Sequence, residues 1–252
     1  MKGKANYEQL WSEQWSELQR IGPLTHTLHR IIIEMLKPHL FDGARVLDVG
    51  CGNAKLLTKL SERFPTLKLC GVEVSEQAIA QAPQHLRSYI LRRDISNGFS
   101  IPGDPFDIVV CSEVLEHLPD YHAALSSIAA HTRDFGHALI TVPHSMRYWS
   151  ESDEFAGHYR RFDYEDFRRD IEGHGLKPLR YFTWGFPVSY VYNRLVSEID
   201  PAKLMAARSS RLKEFAARLT YQAMKLDDLF PGKRWHQLFA LTRKEPEEPG
   251  SE

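Results

Sequence analysis

A glycine-rich turn follows a short apolar run early in the chain and precedes a helical pattern. The run over 46–49 predicts a strand, and Gly50 and Gly52 allow the turn after it to pass close to a ligand. Glu73 ends the next predicted strand, 23 residues after Gly50, where an acid typically accepts hydrogen bonds from ribose hydroxyls. We therefore expect an adenosine-containing ligand. Lys55 stands where the dinucleotide fingerprint has glycine, and the spacing alone does not identify the ligand.

Two carboxylates and an imidazole lie close together further along the chain. Glu113 is three residues before Glu116 and four before His117, spacings that share one face of a helical turn. Two carboxylates with imidazoles suit Mg²⁺, Mn²⁺ or Zn²⁺, and such an ion would lower the pKa of a bound hydroxyl. The alternative is that Glu116 makes a salt bridge while His117 or the more distant His158 acts alone as a base or merely packs. His144, after the fifth predicted strand, is a further candidate base.

Alternating strands and helices must position these residues. Apolar runs separated by helical stretches predict right-handed βαβ units and a parallel sheet covered by helices on both faces. Asp163 opens one further helix before the last two strands. The predicted strands cover 45–49, 67–74, 88–91, 106–111, 137–142, 179–184 and 236–241, and helices cover 24–36, 54–63, 75–84 and 121–132.

The last two predicted strands are separated by about fifty residues, which is long for a connection and predicts an inserted cap. Its half over 201–234 has a net charge of +5, against −6 for the rest of the chain. A basic amphipathic helix can lie on an anionic membrane or meet a lipid-linked substrate, or it can be the solvated face of a substrate lid. Peripheral membrane contact through 201–234 is therefore one expectation for this half.

A single domain is expected, because a core of this size fits one chain of 252 residues. Trp11 and Trp15 are expected to pack the N-terminal arm onto the body of the domain. The expected parts are a helical arm over 1–40, a core over 41–184, a helical cap over 185–234, a last strand over 235–244 and an acidic tail over 245–252.

Composition excludes several classes of protein. With 42% hydrophobic and 26% charged residues, disorder is excluded as the main state. A net charge of −1 makes nucleic acid an unfavoured partner. Cys51, Cys70 and Cys111 have neither disulfide-framework nor zinc-ribbon spacing, and no apolar run reaches the length of a bilayer span. Because the first residues also lack a signal-peptide core, we expect a cytoplasmic protein.

The segment over 44–142 resembles the class I S-adenosylmethionine-dependent methyltransferases. Asp48-x-Gly50-Cys51-Gly52 is similar to the first motif of that family, and Glu73 matches its ribose-binding acid. The loop over 93–95 (RDI) resembles the one that flanks the adenine. The run over 106–118 (FDIVVCSEVLEHL) is similar to the fourth-strand motif of the subgroup that includes ubiquinone-biosynthesis O-methyltransferases. Ala54 replaces the family's third glycine, and we expect slightly tighter packing there.

The resemblance implies a Rossmann-like sheet of seven strands with the last one antiparallel. It also implies S-adenosylmethionine across the carboxyl ends of the first and fourth strands. Direct in-line transfer of the methyl group would leave S-adenosylhomocysteine. The cofactor-binding residues carried over from the family are Asp48, Gly50, Cys51, Gly52, Glu73, Val74, Asp94, Ile95, Ser112 and Glu113.

The same resemblance bears on the candidate catalytic residues Glu113, His117, His144 and His158. A histidine similar to His158 precedes the corresponding helix in ubiquinone-pathway O-methyltransferases and in small-RNA 2′-O-methyltransferases. In the second of these families an acid-acid-His set and a further histidine bind a divalent ion. By analogy, the metal candidates here are Glu113, Glu116, His117 and His158.

The methyl acceptor is constrained by the residues after the fourth strand. The segment over 112–115 (SEVL) stands where amino-methylating members often carry Asn/Asp-Pro-Pro-aromatic. This predicts a small-molecule or lipid-like acceptor, with oxygen methylation as the leading candidate. A metal-assisted RNA 2′-O-methyltransferase and a non-catalytic cofactor-binding module serving a partner protein remain alternatives. The sequence does not indicate an oligomeric state.

Overall fold

The computed structural model describes residues 22–103, 105–197, 199 and 210–246. The arm over 1–21 with Trp11 and Trp15, the segment over 200–209 in the predicted cap, and the tail from 247 lie outside the described residues. No helix within the described ranges is both long and apolar enough to cross a membrane.

Seven strands form one sheet in the order β3-β2-β1-β4-β5-β7-β6. The strands from β1 to β5 pair in parallel, and β7 is antiparallel to both of its neighbours. This confirms the predicted Rossmann-like sheet with an antiparallel last strand. The strands are β1 (Arg45–Val49), β2 (Lys68–Glu73), β3 (Ile90–Arg92), β4 (Phe106–Ser112), β5 (Thr132–Pro143), β6 (Leu176–Trp184) and β7 (Gln237–Lys244).

Helices cover both faces of the sheet. Val46 of β1 packs in one apolar cluster with Ile32 and Leu60, whereas Leu47 packs in the opposite cluster with Leu125 and Phe167. Apolar residues on both faces explain the continuous apolar strands. The helices are α1 (Pro23–Leu36), α2 (Lys55–Arg63), α3 (Glu76–Gln81), α4 (Gln84–Arg87), α5 (His122–His131), α6 (Glu151–Ala156), α7 (Tyr164–Gly173), α8 (Val188–Ser197) and α9 (Arg211–Ala223), with 3₁₀ turns at Lys37–His39, Leu115–His117, Met146–Tyr148 and Met224–Leu229.

The cap before β7 consists of α8, α9 and the 3₁₀ turn Met224–Leu229 in its described part. The buried carboxylate of Asp227 accepts hydrogen bonds from the backbone N–H groups of Val188 and Ser189 at 2.7 and 2.8 Å, which satisfies the start of α8. Asp228 forms an ion pair with Arg30 of α1 at 2.8 Å. The Asp227 bonds hold the parts of the cap together, and the Asp228–Arg30 pair attaches the cap to the helix that precedes β1.

The largest differences between predicted and observed elements concern one helix and one strand. The helix predicted over 75–84 ends at Gln81, and α4 starts after Pro83, whose ring has no N–H to donate to a continuing helix. The strand predicted over 137–142 begins at Thr132, because Thr132 pairs with Phe106 before a register shift in the ladder. Both differences lie away from the carboxyl ends of the parallel strands.

A pair of glycine substitutions tests the packing beneath the first turn. A Cβ at Gly71 of β2 would lie 2.7 Å from Cys51 Sγ and 3.1 Å from Leu57 Cδ1, whereas one at Gly173 would meet no atom within 4 Å. Gly71→Ala should lower the free energy of unfolding by about 1–3 kcal/mol through overpacking. Gly173→Ala should leave it unchanged or raise it by about 0.4–1 kcal/mol. Urea unfolding measures both, and equal effects would contradict this packing.

Candidate active site

The glycine turn after β1 folds back on the neighbouring strand. The backbone N–H groups of Gly50 and Cys51 both donate to Val72 O, at 2.8 and 3.0 Å. Gly50 has φ +72°, and a Cβ there would lie 2.4 Å from Val114 Cγ2. Only glycine fits this position, because both the backbone conformation and the close approach of the segment after β4 exclude a side chain.

The carboxylate of Glu73 fixes the far side of the turn. Its Oε2 accepts from the Gly52 N–H at 2.9 Å, and its Oε1 accepts from the N–H groups of Val74 and Ser75 at 2.9 and 2.8 Å. The side chain is 2% exposed. Glu73 therefore joins the end of β2 to the glycine turn, and its predicted contact with a ribose remains a prediction.

Ala54 occupies a left-handed position at the start of α2. Its φ and ψ are 61° and 29°, a region that costs an L-residue roughly 1–2 kcal/mol. A glycine here would relieve the backbone conformation, and the tighter packing expected from the sequence stays a prediction. The methyl group of Ala54 is completely buried against Leu57 and its neighbours.

A cleft of about 1340 Å³ opens at the carboxyl ends of the strands, between the glycine turn, α6 and the cap. Most predicted cofactor residues border it: Asp48, Gly50, Cys51, Gly52, Ser112 and Glu113. Four others, Glu73, Val74, Asp94 and Ile95, do not belong to its wall among the described residues. Asp94 is exposed and accepts from Ser96 N and Oγ, while Ile95 lies in the core.

The carboxyl group of Asp48, which borders this cleft, has a raised pKa. Burial, followed by the nearby charge of Glu73, raises the pKa of Asp48 to about 8. At neutral pH its carboxyl group is therefore mostly protonated in the unliganded protein. A cationic group brought close to Asp48 would favour loss of that proton.

The acid-acid-His set is not helical, contrary to the expectation of one shared helical face. Glu113 has φ +57°, and only Leu115–His117 forms a short 3₁₀ turn. Glu113 Oε1 accepts from Thr141 Oγ1 at 2.9 Å and from Gln237 Nε2 at 2.5 Å. These bonds direct Glu113 towards β5 and β7, which separates it from the other metal candidates.

Glu116, His117 and His158 do come together. One potential ligand atom from each lies within 4.8 Å of the others. Both carboxyl oxygens of Glu116 are buried without a hydrogen-bond partner among the described residues. Burial, then the charge of Glu113, raises the pKa of Glu116 well above its usual range. Burial and the neighbouring His158 lower the pKa of His117 to about 3, so this imidazole is neutral at physiological pH.

His158 is oriented by a buried carboxylate. Its Nδ1 lies 2.9 Å from Asp153 Oδ1, while Arg161 donates to both oxygens of Asp153 at 2.9 and 3.0 Å. Burial alone would raise the pKa of Asp153, but the hydrogen bonds from His158 and Arg161 outweigh it and lower that pKa to about 2. With Nδ1–H donated to Asp153, Nε2 of His158 is the nitrogen left to accept a proton or bind an ion.

His144 does not join this group. Its Nδ1 lies 2.6 Å from the carbonyl oxygen of Trp235, the residue is 5% exposed, and it does not belong to the cleft wall. The ring is held against the backbone of Trp235, outside the cleft wall, and is not placed to act as the base. Of the candidate bases, His117 and His158 are the two that border the cleft.

Aromatic side chains form the cleft wall on the cap side. Phe186 and Trp235 stack with ring centroids 4.3 Å apart and interplanar angle 8°, and Tyr190 lies 6.4 Å from Phe186. Trp149 and Trp184 complete this wall. Such a surface suits a flat or apolar ligand body.

The comparison with family models decides the family. Residues 18–181 match the model of a methyltransferase domain, about two thirds of the chain. The chain belongs to the class I S-adenosylmethionine-dependent methyltransferases. This confirms the resemblance read from the glycine turn, Glu73 and the segment after β4.

Curated relatives and solved structures agree with this family. A ubiquinone biosynthesis O-methyltransferase of Rhodopseudomonas palustris is 30% identical over 161 residues, covering 58% of this chain and 62% of the relative. A trans-aconitate 2-methyltransferase of Azoarcus is 30% identical over 104 residues, 41% of either chain. Phosphoethanolamine N-methyltransferase 2 of Haemonchus contortus, in complex with S-adenosyl-L-methionine, has the same fold with TM-score 0.66 and 19% identity, covering 97% of this chain and 61% of that one.

Several residues of this methyltransferase site were not found from the sequence. Asp153 had a local signal, because Ser150-x-x-Asp153 is a capping-box spacing and the box is formed. Arg161 adjoins His158 in the run over 157–162 but suggested no role. Gln237 had no local signal, since it reaches Glu113 from 124 residues away.

Two aspartates that each form an ion pair with an arginine, one buried and one exposed, test the contribution of burial to the stability of the site. Asp153→Asn should lower the free energy of unfolding at pH 7 by about 3 kcal/mol, because Arg161 keeps a buried charge without its partner. Asp166→Asn removes an ion pair with Arg169 that is 64% exposed on the Asp166 side, and should cost less than about 1 kcal/mol. Urea unfolding at several pH values measures both.

The contribution of Asp153 to the free energy of unfolding should fall as the pH falls. Because the pKa of Asp153 is lowered in the folded state, its stabilisation is full above the ordinary aspartate pKa of about 3.9 and is lost as pH falls towards 2. The difference between wild type and Asp153→Asn should therefore shrink over that window. A difference that stays constant between pH 5 and about 2 would contradict the assignment.

Proposed function

We propose that the chain transfers the methyl group of S-adenosylmethionine to a hydroxyl group of a small-molecule or lipid-like acceptor. The observation that carries this proposal is a cleft bordered on one side by the glycine turn and on the other by the oriented His158. The matched segment spans 62% of the Rhodopseudomonas relative, so the activity and acceptor of the whole protein are proposals.

The cofactor site of this proposal is the turn at the end of β1. Asp48 and the backbone of Gly50 and Gly52 border the cleft there, and Glu73 holds the turn in shape. The Haemonchus neighbour was solved with S-adenosyl-L-methionine bound, which supports the same cofactor for this chain. The family's placement of the adenosine on Glu73, Val74, Asp94 and Ile95 requires contact beyond the cleft wall.

His158 supplies the base in this mechanism. With S-adenosylmethionine and an acceptor bound, Nε2 of His158 would take the proton of the acceptor hydroxyl as the methyl group moves from sulfur to oxygen. Asp153 keeps Nδ1 protonated and stabilises the imidazolium that forms, as in other carboxylate–histidine pairs. The ring of His117 lies at a steep angle to that of His158, with centroids 4.7 Å apart. Because burial lowers the pKa of His117 to about 3, it adds no competing positive charge there. His158 thus holds the proton at Nε2 while the aromatic wall excludes water.

The acceptor class is supported by the cap wall and by the relatives. Phe186, Tyr190 and Trp235 offer a stacked aromatic surface, which suits a ring or an apolar chain. The matched relatives are named as methyltransferases of ubiquinone biosynthesis and of trans-aconitate, both small molecules. An oxygen acceptor agrees with the first of these and with the base at His158.

A metal-assisted form of the same reaction is the second candidate. Buried Glu116 oxygens without a partner among the described residues, next to two imidazoles, fit a divalent cation. Glu116, His117 and His158 would hold the ion, and Asp153 would orient His158 from behind. Such an ion would lower the pKa of the acceptor hydroxyl.

Turnover assays test the base. With labelled S-adenosylmethionine and a panel of phenols and catechols bearing apolar chains, His158→Ala should lower kcat about 10²–10⁴-fold. Its affinity for S-adenosylhomocysteine should stay within severalfold of wild type. His85→Ala, at an exposed histidine on α4, is the matched control and should leave both unchanged. Tight cofactor binding without turnover of any acceptor would contradict the proposal and favour a non-catalytic binding module.

Chelation separates the two forms of the mechanism. If an ion is held, strong chelator should abolish turnover, and added Mg²⁺, Mn²⁺ or Zn²⁺ should restore it. Glu116→Gln should weaken Mn²⁺ binding, measured by electron paramagnetic resonance, at least tenfold. Full activity in chelator, with His158→Ala still impaired, would discard the ion and retain the base.

A further inference from the structure

The cap carries an unusual amount of exposed apolar surface. Among the described residues, ten of the 17 exposed large hydrophobic side chains lie within 190–230. Eight of them, on α8, on α9 and on or just after the 3₁₀ turn, define what we call the outer cap face: Val191, Leu195, Leu212, Phe215, Leu219, Leu226, Leu229 and Phe230. Scattered single apolar residues need no explanation, but this concentration in one small region does.

Helix α9 shows that the described part of the fold leaves this face uncovered. Leu212, Phe215 and Leu219 are spaced three and four apart, so they share one side of the helix, with exposures of 77, 59 and 55%. The opposite side, with Ala217 and Tyr221, is less exposed and faces α1, against which α9 packs. The helix is therefore apolar on two sides, and only one side is covered by the described residues.

Positive charge accompanies the apolar residues. Arg211 and Arg218 are seven residues apart and lie on the same side of α9 as Phe215, and both are exposed. Arg194, Lys213, Lys225, Lys233 and Arg234 add further cations around the cap. Acids are fewer over 201–234, where Glu214, Asp227 and Asp228 stand against eight Lys and Arg residues. Asp227 is buried and accepts from the start of α8, Asp228 pairs with Arg30, and Lys233 pairs with Glu165.

We propose that the outer cap face docks peripherally on a lipid bilayer containing anionic lipids. Apolar side chains next to exposed arginines are the pattern of a helix that lies in a membrane interface, where the apolar side enters the acyl boundary and the cations meet the headgroups. A second copy of this chain fits less well. Symmetric pairing of the face would bring Arg211 and Arg218 against the same cations of the other copy.

The position of the face also deepens the proposed function, on which this step rests. Tyr190, Arg194 and Lys213 border the cleft and belong to the same two helices as the outer cap face. Docking would therefore place the aromatic cleft beside the bilayer. A lipid-like acceptor could then enter the cleft without crossing bulk water.

Vesicle sedimentation of the full chain tests the docking. Vesicles of phosphatidylcholine alone are compared with vesicles that contain phosphatidylglycerol as well. We expect binding to the second kind, weak binding to the first, and partial loss of binding as salt rises. Arg211→Gln and Arg218→Gln should each weaken binding about fivefold. Phe215→Ser should reduce the binding that remains at high salt.

Matched controls are available elsewhere on the surface. Tyr89→Ser removes an exposed aromatic ring of 54% exposure near β3, and Lys37→Gln removes an exposed cation after α1. Both should bind vesicles as wild type does. Because all these positions are exposed, a thermal melt should confirm that each variant remains folded.

Three results would overturn the proposal. One is equal binding to both kinds of vesicle, and another is binding that the cap variants leave unchanged. The third is absence of vesicle binding together with a concentration-dependent dimer that Phe215→Ser disperses, which would make the face an interface between copies. If the wild-type protein binds vesicles but methylates no acceptor, only the proposed function is contradicted. Failure of the docking proposal and failure of the proposed function are therefore distinguishable.

Discussion

The carboxylate of Glu73 connects the end of β2 to the glycine turn after β1, and the cleft depends on this connection. Three backbone N–H groups, from Gly52, Val74 and Ser75, donate to a group that is almost completely buried. A buried carboxylate is tolerated only when donors surround it, so the turn and the carboxylate stabilise each other. Gly50 closes the arrangement, because Val114 occupies the space where a side chain would begin.

Other carboxyl groups at the same edge of the sheet are accommodated differently. Asp153 is held as an anion by Arg161 and His158, whereas burial raises the pKa of Asp48 to about 8 and the pKa of Glu116 well above its usual range. A cation bound beside Asp48 or Glu116 would favour loss of the proton from that carboxyl group. The cleft therefore contains one acid beside the glycine turn and one beside the two imidazoles that are poised to respond to a positively charged cofactor or ion.

Much of the fold followed from the sequence because it depends on local patterns. The apolar runs of β1 and β4 and the glycine turn predicted the sheet and the place of the cleft, since parallel strands bring their carboxyl ends to one edge. The cap was predicted from connection length, although its segment over 200–209 lies outside the described residues. Pro83 divided the helix predicted over 75–84, because proline has no backbone N–H to continue a helix even where the apolar residues keep helical spacing.

The side-chain chemistry was less predictable, because it depends on contacts between distant segments. Helical spacing joined Glu113 to Glu116 and His117, but bonds from Thr141 and Gln237 draw Glu113 away. Asp153, which orients His158, was visible in the sequence only as a helix cap. His144 was a further candidate base in the sequence, and only the fold shows that its ring is held against Trp235.

The central claim, that a cationic nucleoside cofactor binds beside Asp48, is tested most directly by calorimetry. S-adenosylmethionine, which carries a positive sulfonium and a positive ammonium group, is titrated at pH 7 in two buffers with different heats of ionisation. Because the pKa of Asp48 is raised to about 8, binding should release close to one proton per ligand, and Asp48→Asn should abolish that release. The account is contradicted if no binding occurs, or if wild type and Asp48→Asn release the same number of protons.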